Sequence, residues 1–260
     1  MAILNLTPDS FSDGGALRDL PAVIDAAAQK IREGADVLDL GGESTRPGSA
    51  GVGEDEELAR VLPAVAALAD RFDCPLSIDT RRAAVMRAAV VAGAGLVNDV
   101  AALREPGAMA AVAELGVPVV LMHMRGEPRT MQVDPHYDDV VKEVSGFLRE
   151  RMSACQAAGI PAERIILDPG FGFGKLLAHN LALLRGLPEL AALGQPLLVG
   201  LSRKSMIGEL TGRPVHERVH GSVALAVSAA RLGAAILRVH DVGPTVDALR
   251  VTGAASGDWS

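Results

Sequence analysis

Residues 75–100 read PLSIDTRRAAVMRAAVVAGAGLVNDV, and this stretch decides the fold class. Pro75–Asp79 has the length and β-branched content of a short buried strand. Arg81–Ala92 carries apolar residues at helical spacing. Gly93 follows, suited to the left-handed conformation that turns a chain back after a helix. Leu96–Asn98 then reads as a second strand. A strand–helix–strand unit of this size pairs its strands in parallel through a right-handed crossover.

Outward from this unit the same rhythm fills the chain. Strands are expected at Ala2–Leu6, Val37–Leu40, Pro75–Asp79, Leu96–Asn98, Pro118–Met122, Arg164–Asp168, Pro196–Gly200 and Ala235–Val239. Helices are expected at Pro21–Arg32, Asp55–Arg71, Arg81–Ala92, Gly107–Leu115, Tyr137–Ala158 and Ala178–Leu187. Three more follow at Lys204–Leu210, His216–Leu232 and Gly243–Val251. Gly34, Gly93, Gly116, Gly159 and Gly233 punctuate the helix ends. Eight strand–helix pairs are the number that closes a (β/α)8 TIM barrel, and 260 residues suit one such domain. A doubly wound open sheet is the rival. It would gather its polar residues at the switch point of strand order. Here they follow every strand, which favours a barrel mouth.

Alanine, valine, leucine and glycine dominate, as suits many close helix-on-strand contacts. The formal charge of −7 argues against a nucleic-acid partner, which needs a basic face. Apolar stretches are broken by Arg87, Glu114, Pro118 or Arg231, too early for a membrane span. Cys74 and Cys155 form no C-x-x-C pair, and no export signal opens the sequence. A cytoplasmic protein is the expectation.

The ends of the eight strands form a set. Asn5 precedes TPDSFSDGG. Asp39 precedes GGESTRPGS. Strand three ends at Asp79, strand four at Asn98-Asp99, strand five at Met122-His123. Asp168 leads into PGFGFGK, strand seven into GLSRKS, and strand eight into Arg238-Val239-His240-Asp241. Any one of these residues taken alone is as easily a helix cap. Together they are not. Buried acids and amides at Asp79, Asn98 and Asp168 are costly unless something pairs with them. Three facing one mouth suit a flat ligand edge with several donors and acceptors.

TPDSFSDGG, ESTRPGS, DPGFGFGK, SRKS and RVHDV, in this order, resemble the successive signatures of the dihydropteroate synthases. The resemblance runs from Ala2 to about Val251. It implies a single pterin-binding barrel that joins a dihydropterin-methyl diphosphate to 4-aminobenzoate, releasing diphosphate. It implies a pterin site of Asp79, Asn98, Met122, Asp168, Phe173, Gly200 and Lys204. Diphosphate would be held by Asn5, Arg238 and His240, with Asp13 approaching it, and Asn5 would also be a ligand of Mg2+. Asp79, Lys204, Arg238 and Asn5 would take part in catalysis. The 4-aminobenzoate pocket would comprise Phe11, Thr45, Arg46, Pro47 and Ser205. A homodimer is implied by the resemblance alone. The family carries a segment before its first strand, whereas the strand read here begins at Ala2, so that segment is expected to be missing.

Two other motifs point elsewhere. His216-Glu217-Arg218-Val219-His220 fits the H-E-x-x-H pattern of zinc proteases. No third ligand is visible, and a surface loop is the expectation. Gly170–Lys175 resembles a phosphate loop but is one residue short, with Leu176 where Ser or Thr belongs. His123, between two methionines, is expected to be packed. Two competing functions remain open: a methyltetrahydrofolate–corrinoid methyltransferase barrel and a non-catalytic pterin binder. The methyltransferase has no use for TPDSFSDGG, SRK and a diphosphate site, and nothing is missing here that would demand a mere binder.

Overall fold

The structure, a computed structural model, describes residues 1–6, 20–44, 51–127 and 130–257. Phe11, Asp13, Thr45, Arg46 and Pro47 lie outside the described residues.

Eight parallel strands run in chain order: β1 Ala2–Asn5, β2 Leu38–Gly41, β3 Leu76–Asp79, β4 Leu96–Asp99, β5 Val119–Met122, β6 Ile165–Asp168, β7 Leu197–Val199 and β8 Ala234–Leu237. The sheet closes on itself. Ile3 N–H donates to Val239 O at 2.9 Å and Val239 N–H to Met1 O at 3.0 Å, joining the last strand to the first. The expected (β/α)8 barrel is therefore the fold.

The helices among the described residues are α1 Leu20–Arg32, α2 Glu54–Arg71, α3 Ala83–Val91, α4 Ala108–Leu115, α5 Val140–Ala157, α6 Leu177–Arg185, α7 Leu187–Ala191, α8 Ser205–Thr211, α9 Val219–Arg231 and α10 Val242–Ser256. α2 shows why they pack. It buries Val61, Ala64, Val65 and Leu68, spaced as one helical face. Each large side chain there contributes about 1.5–3 kcal/mol by leaving water. All five helix-ending glycines adopt positive φ, from 65° at Gly116 to 119° at Gly93.

Strand alternation sorts the barrel into two layers. Leu38, Leu40, Leu76, Ile78, Val97, Val119, Leu121, Ile165, Leu167, Leu197 and Val199 belong to the main core shared with the helices. The intervening positions face the barrel axis, and these include Asn5, Asp39, Ser77, Asp79, Asn98 and Asp168.

Five expected strands begin one residue late, at Leu38, Leu76, Val119, Ile165 and Leu197, and three of these starts follow a proline. Proline has no N–H to donate to a ladder. Its carbonyl still accepts: Leu38 N–H bonds Pro75 O, Val97 N–H bonds Pro118 O, and Leu167 N–H bonds Pro196 O, at 2.9–3.0 Å. The helix expected over Ala178–Leu187 gives way to a separate short one, α7, with Pro188 in its first turn. Proline cannot continue the bonding of the preceding helix. The helix expected from His216 begins at Val219, after a 3-10 turn over Val215–Glu217.

Candidate active site at the barrel mouth

Parallel register places Asn5 opposite Gly41, Gly41 opposite Asp79, and Asp79 opposite Asn98. Three of the expected site residues thus share one level at the C-terminal ends of β1, β3 and β4. Asp168 is level with Met122 on the far side. Active sites of such barrels lie at this end.

Arg238 reaches across the mouth from just beyond β8. Its Nε donates to Asp39 Oδ2 at 2.6 Å and its Nη2 to Asp79 Oδ2 at 2.7 Å. Asn98 Nδ2 donates to the same Asp39 oxygen at 3.1 Å. Burial opposes the charge on Arg238, but Asp39 and Asp79 outweigh it and hold its pKa above the usual value. Burial pushes Asp79 up to about 7; Arg238 pulls the other way, and Asp39, Glu57 and Asp99 add to the rise.

Opposite, Asp168 accepts from Gly170 N–H at 2.7 Å through Oδ1. Burial raises its pKa, against that bond and the charges of Lys204, Arg238 and Lys175. Lys204 holds Nζ 4.2 Å from the centre of the Phe173 ring. Phe173 packs on a small cluster of Val100, Met122, Met124 and Met131, separate from the main core. The structure thus brings Met122, Phe173, Lys204 and Asp168 together on one side of the mouth. Gly200 follows β7, and a Cβ there would lie 3.9 Å from Arg238 Cβ.

The glycine-rich turn after β6 is built for close approach. A Cβ on Gly170 would stand 1.8 Å from His123 O, and one on Gly174 would stand 2.4 Å from Arg125 O; both have positive φ. Lys175, buried, donates to Gly170 O at 2.8 Å and Phe173 O at 3.1 Å, with Nζ 2.9 Å from His123 Nδ1. Asn180 accepts from Gly172 N–H at 2.8 Å and donates to Leu176 O at 2.9 Å. Tyr137 donates to Gly174 O at 2.9 Å. The turn is a rigid frame for Phe173. His123 is packed, as expected, with burial depressing its pKa to about 2.

The SRK turn leads into α8, whose first residue is Ser205. Arg203 takes the left-handed conformation at φ 60° and donates from Nε to Asp241 Oδ2 at 3.0 Å. Ser202 Oγ meets both the backbone N–H and Nδ1 of His240 at 3.1 Å. The protease-like motif resolves here. Its histidines fall on the 3-10 turn and on α9, and His216 is 74% exposed beside Glu217. Arg218 between them instead donates to the carbonyls of Arg203 and Lys204, at 3.2 and 3.4 Å. Among the described residues no group of three histidines, cysteines or acids suits a metal.

Glu43 and Val52, after β2, are both held by Arg82, the residue before α3. Arg82 donates to Glu43 Oε2 at 3.1 Å and to Val52 O at 2.6 Å, and pairs with the buried Glu57 of α2. Glu43 and Val52 flank residues 45–50. Sequence reasoning passed over Arg82, Glu43, Glu57, Asn180 and Lys175 as frame residues. A paired Thr-Arg-Arg directly after the strand-end Asp79 was the available signal for Arg82.

A barrel whose mouth pairs an acidic edge with an apolar ring wall and a partly buried cation has the make-up of a pterin-binding enzyme, and the profile described as pterin binding enzyme matches residues 1–240. The dihydropteroate synthase of Escherichia coli K12 is 53% identical over 251 residues, 96% of this chain and 89% of that protein. The Xanthomonas albilineans dihydropteroate synthase solved with 4-aminobenzoic acid is 56% identical, with a TM-score of 0.93 over 98% of this chain and 92% of the other. Its complex with 7,8-dihydropteroate gives a TM-score of 0.90 at 54% identity, over 98% and 92% of the two chains. The chain belongs to the dihydropteroate synthase family.

Proposed function

We propose that the mouth condenses 7,8-dihydropterin-6-ylmethyl diphosphate with 4-aminobenzoate to give 7,8-dihydropteroate and diphosphate. One observation carries the assignment of the site: Arg238 joins Asp39, within β2, to Asp79, at the end of β3, across from Asp168, Lys204 and Phe173. That arrangement supports a polar edge, a ring wall and a cation sharing one opening.

Asp168 accepts the adjacent N–H and amino group of the pterin edge, a geometry that suits a carboxylate. Asn98 and Asp79 complete the edge, and Lys204 meets the ring's carbonyl side. Met122, Phe173 and Gly200 line the walls. Arg238 and His240 hold the diphosphate, joined by Asn5 and, outside the described residues, Asp13. The C–O bond between methylene and diphosphate breaks, its electron pair leaving with the diphosphate. In this reading the Asp79 carboxylate stabilises positive charge on the methylene. The neutral aniline nitrogen then forms the new C–N bond and loses its proton to water. No covalent enzyme intermediate is needed.

The register row fits Mg2+. Asn5 offers a hard amide oxygen beside Gly41, which has no side chain to fill the level between Asn5 and Asp79. Magnesium takes few protein ligands and completes its shell with water and phosphate oxygens. When bound with substrate it supplies charge neutralisation at the leaving group.

Ser205, with Phe11, Thr45, Arg46 and Pro47, belongs to the 4-aminobenzoate side of the same proposal. Cytoplasmic residence and a homodimer complete it, supported by family likeness. The test is direct. Pterin diphosphate, 4-aminobenzoate and Mg2+ should yield dihydropteroate and pyrophosphate in equal amounts. Tight pterin binding with no product would replace the synthase by a binder.

A further inference from the structure

Asp39 lies on β2, fully buried, and has no role in the chemistry above. Its two oxygens are used unequally. Oδ2 accepts from Arg238 Nε at 2.6 Å and from Asn98 Nδ2 at 3.1 Å, whereas Oδ1 is buried with no hydrogen-bond partner. Arg238 divides one edge of its guanidinium between two acids. A carboxylate ordinarily takes both donors of such an edge.

The two partners sit at different depths. Asp39 is level with Ser77, one layer below the Gly41–Asp79 row. Its side chain is 0% exposed, that of Asp79 12%. A ligand entering the mouth meets the Nη2–Asp79 contact first.

We propose that Asp39 is the positioning residue of this mouth: the fixed anchor of Arg238 and Asn98, with Asp79 the partner Arg238 gives up when the diphosphate-bearing substrate arrives. Nε stays on Asp39 throughout. Oδ1 of Asp39 gives Nη2 a second acceptor on the same carboxylate, so the cation is never left unpaired, and Asp79 is released to the substrate. The inference rests on the pterin and diphosphate roles proposed for Asn98 and Arg238.

Steady-state kinetics of Asp39→Asn test it beside wild type, with a thermal melt of each. The KM for pterin diphosphate should rise at least about tenfold, the worth of one charge-assisted hydrogen bond. The KM for 4-aminobenzoate should stay within about twofold. Unchanged constants, or a parallel rise for both substrates with a lowered melt, would overturn the proposal. If Asp39→Asn does not fold, the wild-type chain decides. The Arg238 Nε–H signal of 15N-arginine-labelled protein, assigned by its loss in Arg238→Lys, should remain slowly exchanging when inorganic pyrophosphate saturates the site. Exchange as fast as that of exposed arginines would overturn it. A wild type that makes no product counts against the proposed function instead, and the Nε measurement, which needs no turnover, still decides on Asp39.

Discussion

Lys175 Nζ lies 2.9 Å from Nδ1 of His123, and both side chains are buried. Burial lowers the lysine from 10.5 to about 7, with Lys204 adding to the drop and Asp168 opposing it. The unfolded chain therefore holds a proton that the fold lacks between about pH 7 and 10.5, and Lys175 makes stability rise with pH across that window. In Lys175→Met this contribution disappears. Melting curves should show wild type gaining on the variant as pH rises through the window; a constant difference would contradict it.

Asp168→Ala removes the acceptor for the pterin edge. Affinity for a dihydropterin lacking diphosphate should fall by about 10- to 100-fold, the scale of hydrogen bonds to a charged group. Calorimetric titration reads this. The melt should not drop steeply, because a costly buried carboxylate goes with the side chain.

Arg238→Ala should act mainly on the diphosphate. The kcat/KM for pterin diphosphate should fall by about 100-fold or more, while binding of the pterin alcohol changes much less. The melt should fall as well, since Asp39 and Asp79 lose their shared cation. Equal losses for the two ligands would place the diphosphate elsewhere.

Asp79 gives a signature of opposite sign to Lys175. Its folded pKa of about 7 lies above the ordinary 3.8, so the fold holds a proton that the unfolded chain has lost between those values. Its contribution to stability falls as pH rises through that window. Asp79→Asn should remove the fall, so the stability of wild type relative to the variant should decline from pH 4 to 7. A flat difference would mean that Asp79 ionises in the usual carboxylate range.

Much of this was legible in the sequence, for a definable reason. Strand alternation and helix-ending glycines depend on local chemistry, so the unit over Pro75–Val100 already specified parallel pairing. Asp79, Asn98 and Asp168 stood out because acids and amides at strand ends are costly without partners. What stayed hidden was pairing between distant segments. Nothing near Asp39 announces that Arg238, 199 residues later, shares its oxygen. Lys175 read as a failed phosphate loop because its real partner, His123, lies 52 residues earlier. Arg218 sat unnoticed inside a protease-like motif whose histidines drew attention from it. The prolines at 75, 118 and 196 shifted strand starts by one residue, through a lost donor that hydrophobic patterning does not register.

A crystal structure with pterin diphosphate bound tests the central claim most directly. The pterin's N–H and amino edge should lie against Asp168 and its ring against Phe173 and Met122, with the diphosphate on Arg238 and His240. A pterin seated outside the mouth, or a diphosphate away from Arg238, would contradict it.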